Sequence, residues 1–161
     1  MTEFFLDVLS FFSNEMIVFI ISMVPLIELR GAIPVALLMD ISPLQTLLIT
    51  YPASLIPAPF IILLIHQVFK LLEKIKFFKK LIDHIVIRNR EKHAEKIAKY
   101  GYFGLFIIVA IPLPGTGVWS GSLVAALFDL EFKKAILIIA LGNLVAASII
   151  LLVSMGVIGL F

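Results

Sequence analysis

The sequence predicts an all-α polytopic membrane protein. It is expected to be an inverted repeat of a re-entrant helical hairpin plus a transmembrane helix, joined by a cytoplasmic amphipathic helix. Three observations lead there: scarce and unevenly placed charge, four apolar blocks, and a weak internal repeat. Charged residues are 15% of the 161 and hydrophobic ones 61%, against a usual charged share of about 25%. Residues 70–99 hold ten of the thirteen Lys/Arg and four of the eleven Asp/Glu, which leaves ten charges for the other 131 residues. A water-soluble globule cannot cover its surface with so few polar groups. The same scarcity excludes a disordered or nucleic-acid-binding tail. One domain is the natural expectation at this length. With no cysteine, disulfide frameworks, thiolate metal sites and covalently attached haem are excluded.

The chain starts acidic, with Glu3, Asp7 and Glu15, and its first basic residue is Arg30. A cleavable signal peptide with a positive n-region is therefore not expected. Four apolar blocks follow. Ile41–Phe69 and Ala135–Phe161 carry no formal charge and exceed the roughly 20 residues of a full crossing. Met16–Met39 is interrupted by Glu28 and Arg30, and Tyr100–Phe128 is broken by the run from Pro112 to Gly117. The halves of each are too short to cross, reaching about 14–18 Å in the first block. They read as re-entrant hairpins in preference to one long kinked helix, because two Pro and two Gly within six residues exceed what a kink requires. Irregular backbone at membrane depth is tolerated only inside protein or beside a water-filled cavity.

The basic segment 70–99 is expected in the cytoplasm by the positive-inside rule, with the acidic start outside. Its Leu71, Ile75, Phe78, Ile82 and Ile85 form one helical stripe ringed by lysines. That pattern suits an amphipathic helix on the inner leaflet, attracted to anionic lipids. The single membrane domain then divides into repeat 1 (about 14–69), the basic linker 70–99 and repeat 2 (about 100–161). A shift of 89 residues lays Gly31–Ser54 over Ser120–Asn143, matching Val35 to Val124, Ala36 to Ala125, Leu38 to Leu127 and Asp40 to Asp129, with Pro25 over Pro114 upstream. The charge rule places the two corners on opposite sides, as in inverted-repeat transporters. At the corners, Asp40 with Ser42-Pro43, and Asp129 with Glu131, suit the N-cap and first turn of the crossing helices. Gly117, Gly121 and Ala125, and at the matching offset Glu28, Ala32 and Ala36, form small-residue faces along which the hairpins are expected to meet.

Glu28-Leu-Arg-Gly31 is the sharpest chemical feature. Each charge at membrane depth costs about 2.5–3.5 kcal/mol on insertion scales, so it needs a partner or water. Positions two apart do not face each other on a helix. A Glu28–Arg30 pair therefore needs a turn, which Gly31 permits. Desolvation favours a protonated Glu28 and Arg30 favours the carboxylate; a buried pair locking the hairpin tip is the alternative to function. The 112–121 stretch, with Thr116, Trp119 and Ser120, offers hydroxyls, an indole and backbone N–H groups for an anionic head group. It lacks the lysine and preceding strand of a nucleotide loop. Asn143 suits an interhelical hydrogen bond or a path lining, as do the breaks at Pro52, Pro57 and Pro59. His66, His84 and His93 share no metal-ligand spacing. No catalytic constellation, metal or cofactor is expected, and no nucleic-acid partner.

Glu28-Leu-Arg-Gly-Ala-Ile-Pro34, Pro57-Ala-Pro-Phe60 and Pro112-Leu-Pro-Gly-Thr-Gly-Val-Trp-Ser-Gly121 resemble the small multidrug export family. That family in turn resembles the DedA superfamily, which includes the SNARE-associated Golgi (VTT) membrane proteins. The likeness runs over most of residues 15–155. It implies inverted re-entrant hairpins facing each other in a prokaryotic inner membrane, and the translocation of lipids, including polyprenyl-phosphate carriers. DedA-type members are expected to carry an acidic residue in the first hairpin and an arginine in the second. Here Glu28 fits, but Arg30 lies in the first hairpin too. The family's Gly-Asn before Pro-x-Pro-Phe is Ala53-Ser54 here, with Gly142-Asn143 at the repeat-equivalent position. Residues expected to bind substrate or proton are therefore Glu28, Arg30, Gly31, Pro34, Pro112, Pro114, Gly115, Thr116, Gly117, Trp119, Ser120, Gly121 and Asn143. A lipid translocase, an exporter of hydrophobic cations, and a non-transporting assembly subunit are the readings carried forward, with homo-oligomerisation open.

Overall fold

The computed structural model describes residues 13–72, 100–113 and 115–158. Among them every regular element is helical: α1 (Asn14–Met23), α2 (Glu28–Leu38), α3 (Pro43–Leu55), α4 (Pro57–Leu72), α5 (Tyr102–Ala110), α6 (Val118–Leu127) and α7 (Phe132–Ile158). Residues 73–99, which hold most of the basic stripe with His84 and His93, lie outside the described residues, as do Glu3, Asp7 and Pro114. Two stretches, Pro43–Ile65 and Phe132–Val157, are long and apolar enough to cross a membrane; at helical rise they reach about 35 and 39 Å. The other helices are short, and each block predicted to break does so, at residues 24–27 and 111–117.

The helices gather into two compact units, cut between Leu55 and Ile56 and between Asn143 and Leu144. In the first unit, α1 packs on α2 and α3, and α2 packs on α3. Ala32 and Ala36 let α2 approach Val18 and Ile41 closely, while Leu29 and Ile33 enclose Ala147 of α7. The polarity of α3 is inside out. Thr46, Thr50 and Ser54 are fully buried, whereas Leu44 and Leu48 are 71% and 67% exposed. The buried hydroxyls return to the backbone: Thr50 Oγ1 donates to the Thr46 carbonyl at 2.8 Å and Ser54 Oγ to that of Tyr51 at 2.9 Å. Such a helix cannot face water with its leucines and the core with its hydroxyls; in lipid the arrangement is natural, because association rests on close packing and internal hydrogen bonds. The chain is an integral membrane protein.

In the second unit, α6 packs on α4 and α5. A Cβ on Gly121 would stand 2.5 Å from Val109 Cγ2, and one on Gly142 would stand 3.0 Å from the Phe106 carbonyl oxygen. Gly121 thus admits a valine of its own hairpin's first arm, and Gly142 lets α7 lie against that arm's backbone.

The two corners repeat atom for atom in their backbone bonds. Ile41 N–H donates to the Ala36 carbonyl and Asp40 N–H to that of Leu37; 89 residues on, Leu130 donates to Ala125 and Asp129 to Ala126. Asp40 and Asp129 take left-handed φ of 59° and 51°. This is the closing motif of a helix C-terminus, so the aspartates end α2 and α6 and do not cap the crossing helices as the sequence suggested. An N-cap needs extended backbone, and these residues sit one to two positions too early. Ser42 caps α3 instead, accepting from Gln45 N–H at 3.4 Å. Glu131 precedes α7 and pairs with Lys134 at 2.6 Å.

Candidate functional site

The first hairpin turns through Val24, Pro25, Leu26 and Ile27. Pro25 cannot donate, Val24 N–H closes α1 on Ile21, and Glu28 N–H bonds back to the Val24 carbonyl at 3.0 Å. The reversal is made by left-handed backbone at Leu26 (φ 74°) and Glu28 (φ 47°). The turn therefore precedes the motif. Gly31, expected to supply it, lies inside α2. Its role is clearance, because a Cβ there would stand 2.7 Å from Ile27 Cγ2. Pro34 also lies inside α2, where it removes the N–H that would bond the Arg30 carbonyl.

Glu28 is 3% exposed, the one buried charged residue among those described. Arg30, two positions on, is partly exposed, and the Glu28 charge acts on its guanidinium. Left-handed backbone costs a non-glycine residue about 1–2 kcal/mol, and burial of a carboxylate costs more unless it is compensated. Both costs fall on Glu28. Leu26 carries the first cost without burial, at 92% exposure.

The second hairpin turns differently. Its left-handed positions are Gly115 (φ 76°) and Gly117 (φ 115°, ψ −164°), and the latter pair of angles is open essentially to glycine alone. Thr116 Oγ1 donates to the carbonyls of Leu113 (2.6 Å) and Ile111 (2.8 Å), and Ser120 Oγ donates to that of Gly115 (3.0 Å). Leu113 N–H folds over Pro112 onto Ile111 at 2.9 Å. The two hydroxyls proposed as ligand groups are thus engaged in tying the loop. Trp119 is partly exposed, and Asn143 is buried at 2% exposure in the same unit.

The structure therefore groups the expected residues by unit: Glu28, Arg30, Gly31 and Pro34 in the first, and Pro112, Gly115, Thr116, Gly117, Trp119, Ser120, Gly121 and Asn143 in the second. At the 89-residue register, Gly115 stands at the position of Leu26 and Gly117 at that of Glu28. Sequence reasoning passed over Leu26, whose backbone signal was the glycine at its repeat partner. It also passed over the Thr46, Thr50, Ser54 row, legible as a four-residue spacing, and Ser122, whose buried hydroxyl has no hydrogen-bond partner.

The family described as "Putative small multi-drug export protein" matches residues 28–149. No curated protein and no solved structure matches the chain. The matched stretch opens at the buried Glu28, takes in both corners and the glycine turn, and covers well over half of the sequence, so the chain belongs to the small multi-drug export protein family.

Proposed function

We propose that this protein is a secondary transporter, built as an inverted repeat, that moves an amphipathic lipid phosphate across the membrane with Glu28 as its proton-carrying group. One observation carries the reading. Glu28 is a buried carboxylate in left-handed backbone, at a place where the second hairpin uses glycine. A residue that costs the fold twice over is retained for chemistry. Arg30 supplies the partly exposed positive charge for an anionic head group, and the resemblance of these motifs to the DedA superfamily points to the same cargo class.

The inverted repeat is supported by the matching corner bonds and by the make-up of the units. Each contains one hairpin, the half of its crossing helix nearest that hairpin and the distal half of the other crossing helix. The hairpin helices have 9 to 11 residues, about 14–17 Å, and a hydrocarbon core is about 30 Å thick. Such helices fit hairpins that enter and leave on one side.

A second reading, export of hydrophobic cations with ionised Glu28 as counter-charge, is favoured by the family description. Reconstituted vesicles separate the two. A fluorescent polyprenyl-phosphate or phospholipid reporter is expected to cross faster than in protein-free vesicles, at a pH-dependent rate that Glu28→Gln makes pH-independent. Movement of tetraphenylphosphonium without the lipid reporter transfers the assignment to the second reading. Background rates for both probes, with a partner protein recovered on gentle extraction, identify a non-transporting assembly subunit.

A further inference from the structure

We infer that Leu26 is the specificity-determining contact for the apolar chain of the cargo, an inference that rests on the transport reading above. Leu26 stands 92% exposed at the crest of the first hairpin's turn, in left-handed backbone at φ 74°. Neither packing nor conformation accounts for a leucine there. The fold leaves the side chain uncovered, and glycine holds the same backbone without steric cost. The second hairpin shows this directly, with Gly115 at φ 76° in the equivalent position.

The surroundings indicate what the leucine touches. Val24 and Ile27 are 37% and 39% exposed beside it, so the crest is apolar. Four positions on, Arg30 is partly exposed, and α2 leads away from the turn. An apolar crest next to a reachable guanidinium is complementary to a molecule with an anionic head and a hydrocarbon chain. Free phosphate would leave the crest unused, and a hydrocarbon lacking a head would be held no better than bulk lipid.

The test uses the full chain in proteoliposomes and a C15 isoprenyl monophosphate bearing a diazirine on its chain. Photoadducts are expected on the peptide holding residues 24–27, with unlabelled isoprenyl monophosphate competing. Leu26→Gly is expected to lower this labelling about tenfold, the factor for losing one leucine's burial. Leu26→Met should restore it, and the thermal midpoint of Leu26→Gly should be no lower than that of the parent. Undiminished labelling in Leu26→Gly overturns the inference, and so does a lowered midpoint, which makes the leucine structural. Equal, uncompeted labelling by a diazirine phosphatidylcholine assigns the crest to the bilayer and overturns it too. The chain has no cysteine, so a Leu26→Cys variant that dimerises covalently on oxidation puts a second copy there, with the same consequence. Competed, Leu26-dependent labelling without flux keeps the contact and removes the transport reading. Glu28-dependent flux with unaltered chain labelling in Leu26→Gly does the reverse.

Discussion

The two hairpins make the same turn with different residues. Hairpin 1 places leucine and glutamate at its left-handed positions, and hairpin 2 places glycine at both. One therefore carries strain and exposes or buries a chemically distinctive side chain, while the other relaxes and ties its loop with Thr116 and Ser120. A repeat frees one copy to depart from what the backbone prefers, because the other shows what the backbone alone requires. The departure marks where function resides.

That contrast is broken or sharpened most strongly at Glu28. Glu28→Gln should remove the pH dependence of transport, and Glu28→Gly should bring flux to the protein-free rate while leaving the thermal midpoint at or above the parent's. A large fall in midpoint for Glu28→Gly would show that the carboxylate holds the hairpin together, and the two turns would then differ only in structural means.

The next effect belongs to hairpin 2. Gly121→Leu should destabilise by about 3 kcal/mol, the upper range for overpacking, because its Cβ already meets Val109; Val109→Ala in the same chain should recover part of this in thermal melts. Gly31→Ala in hairpin 1 should cost much less, since the Ile27 side chain it meets is 39% exposed and has room to turn. Gly117→Ala should lower stability by about 1–3 kcal/mol from its backbone angles alone.

Smaller effects test the corners, where the copies agree. Asp40→Gly and Asp129→Gly should each stabilise by about 0.5 kcal/mol, relief of left-handed strain being offset partly by chain entropy, and they should do so equally. Unequal responses would show that one aspartate has a further role. Thr50→Val should change stability by less than about 1 kcal/mol, since its hydroxyl only returns to its own helix.

Much of the fold was legible because the rules involved are local or compositional. Scarce charge identified the membrane, block length separated crossings from short helices, and Pro112 to Gly117 announced a break. The first hairpin's turn was misplaced onto Gly31, since glycine is the usual sign of a left-handed residue and here leucine and glutamate take that conformation. The aspartates at 40 and 129 were read as caps of the following helix; which helix a boundary residue serves depends on its φ, which spacing does not specify.

By itself the sequence determined that this chain lives in lipid, that its hairpin helices are short and that Glu28 and Arg30 stand apart from every water boundary. These follow from transfer energies that add residue by residue. The tertiary structure decided that Glu28 is buried, that Arg30 and Leu26 are reachable, and that Thr116 and Ser120 are committed to their own loop. Those outcomes depend on where backbone reverses and what then packs against it, a cooperative property of many residues that no single position encodes.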